Sequence, residues 1–221
     1  MLDLSRDGDV FVLRMTAGEN RFNPTSLGAL NAALDEVAAA DGPAALVTTG
    51  EGKFYSNGLD LDWLLGPGAD EFPAFVDAVH RFLGRLLAFP VPTVAALNGH
   101  TFAAGAMMAL AQDVRIQRAD RGFFCLPEVD IRIPFTEAMA ALIQAKLPQP
   151  VVHEAMAFGR RYGGEEAVQR GVVNAACAED EVLPAAVAAA AELAGKDRAT
   201  LEAIKRTMYA PAPALALLEA R

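Results

Sequence analysis

The sequence predicts an α/β fold with additional helices gathered toward its C-terminal end. Short β-rich runs alternate with stretches of helical periodicity, which is the order expected of strand–helix layering. Several runs are apolar throughout, as strands buried on both faces of a parallel sheet must be. Beyond Pro148 and Pro150 the pattern turns almost wholly helical. Hydrophobic residues make up 53% and charged residues 21%, a balance that supports a packed core and argues against disorder. At 221 residues the chain can form one sizeable domain, or a domain with a small appendage.

Each element follows from its local chemistry. Val10–Met15, bounded by Gly8 and Gly18, reads as a strand. Asn23 precedes Pro24 as an N-cap precedes a proline at the first helical position. Leu27, Leu30, Leu34 and Val37 then share one face of a helix that stops before Gly42. Residues 44–48 suit a buried strand, and residues 50–63 form a loop rich in Gly, Ser and Asn. Phe72, Phe75, Val76, Val79, Phe82, Leu83, Leu86 and Leu87 make an apolar helical stripe, read as core or subunit interface. Pro90 and Pro92 end that helix, and Thr93–Leu97 returns as a strand.

Asn98-Gly99 marks a turn, residues 102–112 a small-residue helix, and Val114–Arg118 and residues 122–126 two further strands. Thr136 caps a helix carrying Met139, Leu142, Ile143 and Lys146. Residues 172–176 are the one strand expected among the later helices. On the last helix Leu201, Ile204 and Met208 share a face that calls for a partner. The best boundary between core and helical region is the proline-containing stretch at residues 146–151.

Charge and motif content narrow the function. A formal net charge of −9 disfavours nucleic-acid binding, which needs clustered Lys and Arg. Cys125 and Cys177 have neither metal-ligand spacing nor a pairing pattern, so a reducing cytosol is the expected setting. The N-terminus lacks the pattern of a signal peptide, the C-terminus is not a peroxisomal tripeptide, and no apolar run reads as a membrane span. There is no phosphate loop, dinucleotide fingerprint or Gly-x-Ser-x-Gly elbow. His80, His100 and His153 lack metal-ligand spacing. His80 is expected to be solvent-facing or satisfied in the core, and His100 to stabilise a turn or line a pocket.

Two backbone-rich turns and one acid remain. Residues 53–61 and 98–105 each follow a buried strand and can present main-chain N–H groups, the second at a helix N-terminus where the dipole adds positive charge. Glu128 stands between apolar flanks, as a partly buried carboxylate would. A salt bridge to Arg132 or Arg115 is the competing role for it. Glu137 reads as a first-turn acid of the following helix.

At these residues a family resemblance becomes specific. Phe54-Tyr55-Ser56-Asn57-Gly58-Leu59-Asp60-Leu61 resembles the first signature of the crotonase superfamily, the enoyl-CoA hydratases and isomerases. Asn98-Gly99-His100 through Gly105 is similar to the second, with Asp113 at its trailing aspartate, and Leu126-Pro127-Glu128-Val129-Asp130-Ile131 resembles the third. Gly164-Glu165-Glu166-Ala167, followed by Gly171-Val172-Val173-Asn174, is similar to a later helix and strand of the family.

The resemblance implies an α/β, crotonase-like (ββα)-repeat spiral core over residues 1–147, with a C-terminal helical appendage serving oligomerisation over residues 148–221. It puts oxyanion-hole N–H groups on Leu59 and Ala104, and substrate contacts on Ser56, Asn57, Gly58, Asp60 and Gly105. The general acid/base position falls on Glu128. Family hydratases use a second glutamate, and Met107 occupies its place here. Hydration must activate a water, whereas moving a double bond needs one base that takes a proton at C2 and returns one at C4. The single-glutamate pattern is therefore most similar to the 3-enoyl-CoA to trans-2-enoyl-CoA isomerases of fatty-acid metabolism and β-oxidation.

The resemblance further implies an acyl-CoA substrate, no metal, no cofactor beyond the coenzyme A of the substrate, a homotrimer or dimer of trimers, and a cytoplasmic location. Arg21, Lys53 and Lys205 are candidates for the CoA phosphates. The chain departs from the family pattern at Ala103 and Ala104, where Gly is common and Ala is tolerable in a helical backbone, and at Arg132, where Gly often follows the glutamate segment.

Overall fold

Pairs of strands followed by a helix wind the chain into a spiral in this computed structural model, which describes residues 2–210. The C-terminal tripeptide considered above lies outside the described residues. The first turn is an antiparallel hairpin of β1 (Leu2–Asp7) and β2 (Val10–Met15), then α1 (Pro24–Ala39). The second is β3 (Ala45–Gly50), β4 (Phe54–Ser56), the short α2 (Leu61–Leu64), a 3₁₀ turn at Ala69–Glu71, and α3 (Phe72–Leu87). The third is β5 (Thr93–Leu97), β6 (His100–Phe102) and α4 (Ala104–Ala111). The fourth is β7 (Val114–Arg118), β8 (Phe124–Cys125), α5 (Glu128–Ile131) and α6 (Glu137–Lys146). There follow α7 (Gln149–Phe158), β9 (Arg161–Tyr162), α8 (Gly164–Gln169), β10 (Ala175–Cys177), α9 (Glu179–Leu193) and α10 (Arg198–Tyr209).

From β3 onward the two strands of each turn enter different sheets. One sheet has the order β1-β2-β3-β5-β7-β10 and the other β4-β6-β8-β9. The pairs β3–β5 and β5–β7 are parallel, and so are β4–β6 and β6–β8. The chain must therefore leave the large sheet, cross the small one and return through a helix on every turn.

The expected caps form. Asn23 and Ser26 make a reciprocal capping box at α1, and Thr136 caps α6 through the N–H of Met139. Phe75, Val79, Phe82, Leu83, Leu86 and Leu87 of α3 are core residues, packed with α1 and α4. On the other face of the large sheet, alternate residues of the strands meet α9: Val47, Val94 and Ile116 pack with Val182, Ala186 and Ala190. The small side chains of α9 let the helix lie close to the sheet. Across the residue 147/148 boundary, β9 and β10 pair into the two sheets and α9 covers the large one.

Some elements differ from expectation for physical reasons. β1 is a largely exposed edge strand without an apolar run, while β4 and β6 are three-residue strands too short to show alternation. The strand expected at residues 172–176 is confined to Ala175–Cys177, and Val172 and Val173 turn into the core instead. On α10, Ile204 and Met208 are exposed, and the helix docks through Lys205 and Tyr209.

Lys205, a candidate phosphate contact by sequence, is 4% exposed and is committed to an internal ion pair instead. Its Nζ donates to Asp113 Oδ2 at 2.7 Å and to the Phe89 carbonyl at 3.0 Å. Asp113 Oδ2 also accepts from the Thr93 N–H at 2.8 Å, so the ion pair joins α10 to the start of β5. Lys205→Ala leaves Asp113 without its cation and the Phe89 carbonyl without this donor. We expect it to lower unfolding free energy by about 3 kcal/mol, read from urea denaturation.

Candidate active site

An apolar cavity of about 320 Å³ opens where α4, α5 and the segment after β4 converge. Each of these backbones is held by a local device. In the first, Asn20, buried with φ 50°, donates through Nδ2 to the Tyr55 carbonyl at 3.0 Å. Ser56 Oγ donates to the Asn20 carbonyl at 2.8 Å and accepts from the Gly58 N–H at 3.2 Å. Phe22 bridges to Leu59 in parallel fashion, its N–H donating to the Gly58 carbonyl at 2.8 Å and its carbonyl accepting from the Asp60 N–H at 2.9 Å. In that geometry the amide of Leu59 points away from Phe22. Neither the Leu59 amide nor the Ala104 amide has a protein acceptor among the described residues.

The first segment and the N-terminus of α4 touch backbone to backbone. A Cβ built on Gly58 would lie 2.8 Å from Ala103 Cβ and 3.0 Å from the Ala104 nitrogen. One built on Gly105 would lie 2.6 Å from Ser56 Cβ. Glycine at both positions is therefore a packing requirement. Ala104 is the first residue of α4, as a tolerated alanine should be, but Ala103 is not helical: it has φ 50° and ψ −125°.

Glu128 enters from the third backbone. The Pro127 carbonyl accepts from the N–H groups of Asp130 and Ile131 at 2.9 and 3.1 Å, and the Glu128 carbonyl accepts from Ile133 at 3.0 Å, closing a single helical turn. Arg132 ends that turn in the left-handed region at φ 60°, the conformation that favours glycine there. The Glu128 side chain lines the cavity and the residue is 6% exposed, with Oε2 unpaired. The competing salt bridges are absent among the described residues: Arg115 donates instead to the carbonyls of Val172 and Gln112.

Of the residues expected at the site, the structure gathers Leu59, Ala104, Asn57 and Glu128 around one cavity, together with Met107. Ser56, Gly58 and Gly105 stand behind its wall, where they hold the two loops together. Asp60 caps α2 through the Trp63 N–H and faces a neighbouring groove with Arg21. Arg21 is paired with Glu19 and Asp62. Glu137 is exposed on α6, and His100 is surrounded by Phe54, Phe102 and Phe123 outside the cavity. His80 Nε2 is hydrogen-bonded to Thr136 Oγ1 at 2.9 Å.

The far wall was missed from sequence. Phe72 and Val76 of α3, Met139 of α6 and the residues 133–136 between α5 and α6 line it. Phe72 and Val76 belong to the stripe read as core or interface, and their i, i+4 spacing at its start is the only signal they carry. Glu128 is the only acid or base among the lining residues.

A model of the family described as enoyl-CoA hydratase/isomerase matches residues 7–221. The chain belongs to that family. Enoyl-CoA delta isomerase 3 of Arabidopsis thaliana is 37% identical over 204 residues, which cover 89% of this chain and 86% of that protein. A putative enoyl-CoA hydratase of Thermus thermophilus is 31% identical over 92% of this chain and 81% of that one. A probable enoyl-CoA hydratase from Mycobacterium tuberculosis H37Rv superposes with a TM-score of 0.91 at 28% identity, covering 99% of this chain and 92% of that chain. Within this family fold, the spiral core and its C-terminal helices are as the sequence motifs implied.

Burial pushes the Glu128 carboxyl up from 4.5 to about 7, because the apolar cavity penalises the charged form more than the contact with its own N–H relieves it. The folded state thus holds this proton more tightly than the unfolded chain. Stability contributed by the protonated form is complete below about pH 4.5 and is lost as pH rises through about 7. Glu128→Gln removes that loss. Its stability advantage should be absent near pH 4, grow through the window and level above pH 7 at on the order of 3 kcal/mol, measured by urea denaturation across pH.

Proposed function

We propose that the protein is an enoyl-CoA isomerase that converts 3-enoyl-CoA to trans-2-enoyl-CoA, with Glu128 as the proton shuttle. The observation that carries this reading is the single ionisable side chain in a predominantly apolar cavity, whose lining also includes Met107 and the neutral polar residues Asn57 and Thr136. Similarity to the delta isomerases of Arabidopsis thaliana supports it, with 37% and 36% identity for two of them over 89% of the chain.

The chemistry balances around one carboxylate. Glu128 removes the C2 proton, and the C2–H electron pair is delocalised into the thioester carbonyl to form a dienolate. The amides of Leu59 and Ala104 receive the negative oxygen; a donor so placed contributes about 2.7–4 kcal/mol to the transition state. The same carboxyl returns the proton to C4, leaving the double bond between C2 and C3. A group titrating at about 7 is matched to both halves. The reaction is redox-neutral and proton-neutral, so it needs no cofactor beyond the coenzyme A of the substrate. We assign the protein to β-oxidation of unsaturated acyl chains, as a cytoplasmic homotrimer or dimer of trimers. The cytoplasmic assignment rests on the two free thiols.

Hydration is the alternative within the family. It would need a second acid–base group beside Glu128, and neither Glu137 nor His100 lines the cavity, whose other polar side chains, Asn57 and Thr136, do not titrate near neutral pH. The test is product analysis with 3-enoyl-CoA and 2-enoyl-CoA. We expect isomerisation without hydration, with kcat/KM falling as pH drops below about 7. Glu128→Gln should lose about 10²-fold or more in kcat. Activity that survives in Glu128→Gln excludes the shuttle role, and a 3-hydroxyacyl product in the parent excludes the isomerase reading.

A further inference from the structure

Ala103 combines two properties that oppose each other. Its backbone, φ 50° and ψ −125°, has the angles of the first central residue of a type II′ turn, a region that glycine enters freely and a residue with a Cβ enters at a cost. Yet the position carries a methyl group. That methyl lines the cavity and sits directly against Gly58, where a second Cβ would come within 2.8 Å. The unfavourable conformation is held from two sides: the Ala103 N–H donates to the Cys125 carbonyl at 3.1 Å, and its carbonyl accepts from the Met107 N–H at 3.0 Å.

The dihedrals of residue 103 orient the next peptide unit, and with it the Ala104 N–H. Gly58, beneath the methyl, immediately precedes Leu59. The Ala103 side chain is thus the spacer between the two segments whose amides face the cavity.

We infer that Ala103 is a positioning residue, whose methyl group, wedged on Gly58, fixes the Ala104 amide relative to that of Leu59 and keeps the pair preorganised. This rests on the reading of those amides as the acceptor site for the thioester oxygen. Glycine at residue 103 would relieve the backbone cost, but would open a gap over Gly58 and free the 103–104 peptide to reorient. Stability and catalysis should therefore move in opposite directions, which a purely structural role does not predict.

The experiment compares the parent with Ala103→Gly and with Ala103→Ser, which retains the Cβ. Thermal melting, kcat and KM on 3-enoyl-CoA, and the infrared carbonyl stretch of bound, carbonyl-labelled hexanoyl-CoA are measured on each. For Ala103→Gly we expect a melting temperature about 2–4 °C higher. We also expect kcat about tenfold lower with KM little changed, and a smaller shift of the bound carbonyl to low frequency. Ala103→Ser should keep kcat and the carbonyl shift close to the parent. A kcat and carbonyl shift in Ala103→Gly equal to the parent's overturn the inference. So does an equal loss in Ala103→Ser. A parent that does not shift the carbonyl at all removes the acceptor-site reading itself, and the inference with it; a parent that shifts the carbonyl without isomerising overturns only the isomerase assignment.

Discussion

The structure turns on one close approach, that of the segment after β4 to the N-terminus of α4. No side chain fits at Gly58 or Gly105, where an added Cβ would fall within 3 Å of the opposing segment. Contacts this tight between main chains bring Leu59 and Ala104, from distant parts of the sequence, to the wall of one cavity. They also explain the effort spent on either side: Asn20, Ser56 and Phe22 secure one backbone, while Cys125 and Met107 pin the other through Ala103. The spiral exists at this level to deliver two strand ends, from successive turns, to the same place.

A second feature follows from what surrounds that contact. The cavity is built mostly from aliphatic, aromatic and methionine side chains, with Asn57 and Thr136 as its neutral polar members, and the one carboxylate within it is desolvated. A group that is costly to ionise is a liability for folding and an asset for proton transfer near neutral pH. The Glu128 backbone is fixed in a closed turn, and its side chain has no cation partner among the described residues. Had Arg115 reached it, the carboxyl would titrate low and lose its usefulness as an acid. Arg115 is instead spent on backbone carbonyls.

Charges elsewhere do structural work. Lys205 and Asp113 join the last described helix to the large sheet, and Lys146 donates to the Gln112 carbonyl and to Tyr209 on that helix. Of the apolar stripe that the periodicity picks out on α10, Ile204 and Met208 are exposed and Leu201 is half-buried, because the helix docks through the adjoining positions Lys205 and Tyr209, where the buried ion pair sits.

The succession of strands and helices, the caps at Asn23 and Thr136, and the apolar flanks of Glu128 were legible in the residues, since each depends on neighbours a few positions away. Leu59, Ala104 and Glu128, which lie far apart in sequence and were singled out by the crotonase resemblance and not by periodicity, line one cavity. Three-residue strands were not legible, because their pairing partners lie far along the chain and leave no local pattern. Nor was the division of roles among the loop residues: Ser56 and Gly105 against the wall, Asn57 and Leu59 within it. Local sequence settles which backbone conformations and which buried faces are affordable. Which loop residues line the cavity, which lysine is buried and which part of the α3 stripe borders the cavity depend on distances between chain segments, and those arise only when the spiral closes.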